Sequence, residues 1–227
     1  MVWEGNKPGN FDIYHKMSTD GGDTWSAGKR LTWTSGESHF LAVAADSSNG
    51  LHLAWYDDTT GEIRIYYKRS TDVGATWTTA QGLAWRTASP TRPDLVAGPS
   101  GSIHLVGCDN TPGNNEVFYK KSTNGGITLP INRRLTWDAD ISHPPAIALD
   151  SSANLHVVWT DFTPGNEEIY YKKSTDGGLN WTANRRLTWT SGGSMLPDIT
   201  VDSSGVCHVV WVDTLPGNYE VYYKRGN

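Results

Sequence analysis

Four histidines recur at one interval: His52, His104, His156 and His208 stand 52 residues apart. Neutral imidazole is a good zinc ligand and proton carrier, so four in register invite a metal or ligand reading. The plainer reading is an imidazole hydrogen-bonded to a neighbouring turn; His39 and His143 match each other in the same way. The same interval repeats a loop rich in oxygen donors, at Asp109–Glu116, Asp161–Glu168 and Asp213–Glu220. Hard oxygen ligands at such spacing suit Ca²⁺, yet Asn beside Pro-Gly is ordinary turn chemistry. The residues therefore assign no metal, no cofactor and no catalytic group. A third set pairs an indole with a carboxylate two residues on: Trp55 with Asp57, Trp159 with Asp161, and Trp211 with Asp213. Indoles stack on sugar rings while carboxylates bind hydroxyls, so these six are the candidates for ligand binding.

The elements that must position them repeat too. A shift of 52 residues aligns Trp3, Trp55, Trp159 and Trp211, with Gly107 in the exceptional copy. It also aligns Tyr14, Tyr66, Phe118, Tyr170 and Tyr222, then Trp33, Trp85, Trp137 and Trp189, with no insertion or deletion. A fixed period of this length marks a repeat architecture. Within each unit the apolar residues alternate with period two over short runs, which reads as strands. The fourth copy predicts strand a at Pro145–Leu149, b at Leu155–Asp161, c at Glu168–Ser174 and d at about Asn184–Trp189. Four antiparallel strands per unit and no helix describe an all-β fold, a β-propeller of 52-residue four-stranded blades. The units run 1–39, 40–91, 92–143, 144–195 and 196–227, in one domain over 1–227. The first lacks strand a and the last lacks strand d, so the expectation is five blades with incomplete terminal ones. Exposed strand edges at both ends would favour self-association.

The turns between strands c and d carry a resemblance. Ser18, Asp20, Gly22 and Trp25 in one copy, and Ser70, Asp72, Gly74 and Trp77 in the next, match the Asp-box, S-x-D-x-G-x-T-W, in full. Ser174, Asp176, Gly178 and Trp181 match with Asn180 in the Thr place; the copy at Ser122–Leu129 departs twice. The chain resembles the Asp-box, sialidase-like β-propellers (the bacterial neuraminidase repeat) over essentially its whole length. The Asp-box is a structural turn: Asp accepts from backbone N–H groups, Gly supplies the unusual φ, and Trp anchors the hairpin. The resemblance implies an arginine triad, an Asp acid/base and a Tyr–Glu nucleophile for a catalytic sialidase. None of these can be carried onto a position here, and the Arg-Ile-Pro motif of the family is absent. Arg133-Arg134 and Arg185-Arg186 repeat, and read as solvated surface.

Composition narrows the function classes. The formal net charge is −5 with both signs interspersed, and without a basic run nucleic acid is not an expected partner. No apolar run approaches the ~20 residues of a membrane helix. Cys108 and Cys207 fall at different points of the repeat and read as buried free thiols. Nearly every distinctive residue repeats, whereas an active site must be unique. The leading reading is a non-catalytic module recognising glycans or protein surfaces, placed outside the cell by the resemblance. A sialidase-like hydrolase and a purely structural array stay open beside it. Glu37, Arg64, Arg92, Asp138 and Asp140 break the repeat, and are where an enzyme would show itself.

Overall fold

The computed structural model describes residues 1–6, 9–87, 92–215 and 217–226; Pro216, in the last copy of the Pro-Gly turn, lies outside them. The described residues are all-β, with eighteen strands in five antiparallel sheets of three, four, four, four and three strands. Sheet 1 holds β1 (Val2–Asn6), β2 (Phe11–His15) and β3 (Lys29–Arg30). Sheet 2 holds β4 (Ser38–Ala45), β5 (Leu51–Asp57), β6 (Ile63–Ser70) and β7 (Gln81–Thr87). Sheet 3 holds β8 (Asp94–Ala97), β9 (Ile103–Asp109), β10 (Glu116–Ser122) and β11 (Ile131–Arg134). Sheet 4 holds β12 (Ser142–Leu149), β13 (Leu155–Asp161), β14 (Glu168–Ser174) and β15 (Arg185–Arg186). Sheet 5 holds β16 (Ser194–Val201), β17 (Cys207–Asp213) and β18 (Glu220–Gly226). The leading strands β4, β8, β12 and β16 adjoin one another in succession. No helix among the described residues is long and apolar enough to cross a membrane.

The strands expected at Leu155–Asp161 and Glu168–Ser174 form with those bounds. Strand a of that unit begins three residues early because a bulge between His143 and Ala146 lets pairing continue past Pro144 and Pro145. The same bulge recurs between His39 and Ala42 and between Met195 and Asp198, where Phe40 and Leu196 take φ of 51° and 53°. Strand d shrinks to two residues for a local reason. Leu187 still donates to the Ile169 carbonyl at 2.7 Å, but the Ile169 amide is answered by the Thr188 hydroxyl at 2.8 Å. A side chain thus takes the place of a ladder carbonyl. Thr32 and Thr136 do the same for Ile13 and Val117.

The core lies in the junctions between successive sheets. Ile13 and Leu31 meet Leu53 and Trp55 at the first junction. At the last, Ala146, Val158 and Ile169 meet Ile199, Val209 and Trp211. Gly107 stands where three other units carry a core Trp, at Trp55, Trp159 and Trp211, and the void is filled by its neighbour. Trp85 is 0% exposed, while its repeat equivalents Trp33, Trp137 and Trp189 are 66%, 65% and 67% exposed. A Cβ on Gly107 would stand 2.9 Å from the Trp85 ring. Trp85 also donates from Nε1 to Asn132 Oδ1 at 2.8 Å, which settles its one polar atom.

Candidate functional site

The turns between strands c and d are webs of short local bonds. In the second copy the Ser70 hydroxyl donates to Asp72 Oδ1 at 2.7 Å and accepts from the Gly74 amide at 2.8 Å. The Thr76 amide donates to Asp72 Oδ1 at 2.8 Å, and Trp77 Nε1 donates to the Gly74 carbonyl at 3.2 Å. These donors, the Thr76 hydroxyl first, hold the Asp72 carboxyl down at about 2. Asp20 in the first copy and Asp176 in the fourth are bonded alike. In the divergent copy Asn124 keeps the web by accepting at Oδ1 and donating from Nδ2.

The repeated histidines are tied within their own sheets. His52 Nδ1 lies 2.6 Å from Tyr67 Oη and its Nε2 lies 3.0 Å from Asp46 Oδ2. His156 and His208 repeat this with Tyr171 and Asp150 and with Tyr223 and Asp202. In the third unit Ser102 replaces the carboxylate, and His104, buried and facing Lys121, is lowered to about 4. Among the described residues no cluster of His, Cys, Asp or Glu is placed to hold a metal ion. Neither cysteine is in a disulfide and both are buried, with Cys108 Sγ 3.6 Å from the Ser142 carbonyl and Cys207 Sγ 3.2 Å from His156 Nδ1.

The six residues expected to bind a ligand lie in the core. Trp55, Trp159 and Trp211 are 1%, 0% and 7% exposed, packed in the junctions between sheets. Their indole N–H groups donate to Asp57, Asp161 and Asp213 at 3.4, 2.9 and 3.4 Å. Those carboxylates also accept the hydroxyls of Ser38, Ser142 and Ser194, and the amides two residues on at Thr59, Thr163 and Leu215. Each Trp-x-Asp pair therefore ties a loop to its own sheet, and no ring face is left for a sugar. The loop asparagines are equally engaged: Asn166 Nδ2 donates to the Thr190 and Gly192 carbonyls at 3.0 and 2.6 Å. The arginines are not simply solvated. Arg134 and Arg186 pair with the fully buried Glu116 and Glu168 at 2.7 and 2.8 Å, while their guanidinium groups lie 5.9 and 5.7 Å from the exposed Trp137 and Trp189 rings.

A cleft of about 480 Å³ opens where the leading strands converge. Phe40, Arg92, Pro144 and Leu196 line it, and all four occupy one position of the repeat. The bulges described above present Phe40, Pro144 and Leu196, as bulges beside sites commonly do. His143, Thr160, Phe162, Glu167 and Met195 complete the wall. The His143 ring meets Phe162 edge-on at 6.3 Å, and burial holds it below the usual imidazole range. Thr160 is 2% exposed and its hydroxyl has no hydrogen-bond partner, although a buried hydroxyl left so costs free energy. Two residues from Arg92, the Asp94 carboxylate accepts the Leu95 and Ile147 amides at 2.8 and 2.9 Å. Burial raises it to about 6 against those bonds.

Of the five repeat-breaking charges, only Arg92 lines the cleft. Glu37 meets His39 Nε2 at 3.3 Å, and Arg64 meets Glu62 at 2.8 Å. Burial and the neighbouring Asp161 raise the Asp138 carboxyl to about 6, and the Asp140 carbonyl accepts from Asn114. The cleft was signalled in the sequence by one repeat position holding Phe, Arg, Pro and Leu in turn.

No protein-family model and no curated protein sequence matches the chain. Solved structures do. A protein of unknown function from Dyadobacter fermentans is similar over 96% of this chain and 68% of its own, at 15% identity and a TM-score of 0.72. The GH93 α-L-arabinofuranosidase of Fusarium graminearum, solved with arabinobiose, is similar over 83% of this chain at 14% identity and a TM-score of 0.65. A leech intramolecular trans-sialidase is similar over 96% of this chain at 14% identity and a TM-score of 0.63. The chain spans 62% and 36% of those last two proteins. At such identities the likeness is one of fold, and that fold is the β-propeller shared by sialidase-type and arabinan-cleaving enzymes.

Proposed function

We propose that this chain is a non-catalytic glycan-binding module of a secreted or cell-surface protein, with the cleft as its ligand site. The observation that carries this reading is Thr160. Thr160 borders the cleft and its buried hydroxyl has no partner, so a sugar hydroxyl admitted by a small movement of the wall would supply the missing bond. Phe40 and Phe162 offer apolar surface to a pyranose or furanose ring, and Arg92 and Glu167 offer charge-assisted bonds to its hydroxyls. The exposed Trp33, Trp137 and Trp189 add repeated stacking faces, and several weak sites together would act by avidity. A five-bladed propeller over 1–227 with three-stranded terminal blades belongs to the same reading, supported by five sheets of three, four, four, four and three strands. So does the local, structural role of the Asp-box residues.

The second reading is a sialidase-like glycoside hydrolase. It is favoured by the Asp94 carboxyl, raised to about 6 and two residues from the cleft-lining Arg92. Against it, the cleft wall described here carries one carboxylate, Glu167, where glycoside hydrolysis ordinarily takes a pair. A glycan array followed by calorimetry on the best ligand tests the choice. Binding that is lost in Thr160→Val and Arg92→Ala, with no release of sugar on incubation, is the expected result. Turnover of any glycoside would overturn the non-catalytic reading. Failure to bind any glycan or protein surface would leave a structural repeat array.

A further inference from the structure

We propose that the ligand of this module is a polymeric glycan, which runs from the cleft across a neighbouring exposed tryptophan on the same face. The proposal rests on the glycan reading above and adds to it the class of glycan. Its basis is a cationic seat that the repeat builds for Trp33, Trp137 and Trp189. Each indole has a guanidinium of its own unit and an ammonium of the next over its ring. The distances are 6.0 and 5.8 Å to Arg30 and Lys68, 5.9 and 5.2 Å to Arg134 and Lys172, and 5.7 and 5.4 Å to Arg186 and Lys224. In the middle seat both cations are themselves fixed. Arg134 pairs with buried Glu116 and donates to the Thr136 carbonyl at 2.6 Å. Lys172 is buried and donates to the Leu135 carbonyl.

An indole held in place yet about two-thirds exposed is preorganised to stack on a ligand ring. The seat goes with the exposure: where Gly82 stands in the place of Arg30, Arg134 and Arg186, Trp85 is fully buried. The ends of the chain do not set it. Trp137 stands between two complete four-stranded sheets and is 65% exposed, against 66% and 67% for the other two.

The three rings lie at the same end of the sheets as the cleft. Thr136, one residue before Trp137, accepts at its hydroxyl from the Ser142 hydroxyl at 3.2 Å, and Ser142 lies two residues before the cleft-lining Pro144 on β12. Thr34 and Thr190, one residue after Trp33 and Trp189, donate to Asp57 and Asp213 at 3.2 and 3.3 Å. Those carboxylates stand in register with Ser38 and Ser194, two residues before Phe40 and Leu196 of the cleft. A chain of sugars leaving the cleft therefore meets an indole. Beside each ring the guanidinium, 22–26% exposed, offers N–H groups to sugar hydroxyls. The rings stand one to a unit among charged and polar side chains, which suits successive sugar rings. A protein partner would call for a contiguous apolar centre.

Calorimetry on fragments of defined length tests this, with arabinan, xylan and galactan oligosaccharides as the probes, each series running from the disaccharide upward. The expected result is an affinity that rises about tenfold with length, the worth of one stacked ring. Trp137→Ala should lose part of that rise. Trp33→Ala, Trp137→Ala and Trp189→Ala combined should lose all of it while the disaccharide binds as before. Trp85→Phe, which removes no exposed ring, should keep the rise, and circular dichroism should match the parent in every variant. Arg92→Ala in the cleft should weaken short and long fragments alike. Disaccharide binding with no gain on lengthening overturns this inference and leaves the cleft reading standing, as does a gain that survives the loss of all three indoles. No binding at any length overturns both.

Discussion

Replacing Trp85 by Ala tests whether position within the repeat or local volume decides what a residue does. Four tryptophans share one repeat position, but Trp85 alone is buried, in the space left by Gly107, while Trp33, Trp137 and Trp189 are about two-thirds exposed. Truncating a buried Trp typically costs about 3–5 kcal/mol. Truncating an exposed one forfeits little beyond its contact with cations such as Lys224, 5.4 Å from the Trp189 ring, worth about 0.5–1 kcal/mol. For a chain of this length 1 kcal/mol moves the melting temperature by about 2–4 °C. Trp85→Ala should therefore lower it by about 6–20 °C, and Trp189→Ala by about 4 °C at most. Differential scanning calorimetry with a urea titration reads both. Gly107→Ala supplies the second arm. Its Cβ would stand 2.9 Å from Trp85 Cζ3 and 3.0 Å from Cε3, an overpacking that costs about 1–3 kcal/mol. In the Trp85→Ala background the same change should cost far less, giving a coupling read by the double-mutant cycle. Equal losses at Trp85 and Trp189, or additive effects at 85 and 107, would refute the exchange of volume.

Three further outcomes are expected. Because the His104 imidazole is held at about 4 by burial, the unfolded chain binds its proton first as pH falls. Stability should then drop from about pH 6.5 and level off near 4, by roughly 3 kcal/mol from this group, and His104→Gln should remove that part of the urea-midpoint profile. Asp138 stands where Thr34 and Thr190 donate to Asp57 and Asp213 at 3.2 and 3.3 Å, so Asp138→Thr should replace a carboxyl pair by a hydrogen bond and raise stability at pH 7 by about 1 kcal/mol. Gly165 and Gly178 have φ of +95° and +87°, but only at Gly178 would a Cβ strike the Tyr119 ring, at 2.5 Å from Cε1. Gly165→Ala should cost about 1–2 kcal/mol for the backbone alone, and Gly178→Ala about 1–3 kcal/mol more, both by urea titration.

Strands b and c were legible because their apolar residues alternate over full-length runs buried on both faces, as at Leu155–Asp161. The end of strand d was not, because a threonine hydroxyl and a backbone carbonyl serve the ladder equally well in space and read differently in sequence. The start of strand a was hidden by the bulge, which sets two residues against one and so inserts one where alternation predicts none. The binding site was the harder problem. Trp55 and Trp189 both recur at the same interval, and periodicity carries no information on which faces a neighbouring sheet. That is decided by the junctions, and it sent the indole–carboxylate pairs inside and Trp33, Trp137 and Trp189 out. The cleft is legible only as one repeat position whose residue type changes in every copy, Phe40, Arg92, Pro144 and Leu196.

Every sheet is assembled from strands consecutive in the chain, and each turn web closes within about eight residues. Contacts distant in sequence arise only where one sheet meets the next. Strand pairing is thus confined to neighbours in the chain, and local pairing shortens the search for the native state. A hairpin with its turn can form in any unit and recruit its neighbours outward, as in other linear arrays. The middle sheets, flanked on both sides, should then be the last to exchange their amide hydrogens, and the two outermost sheets the first.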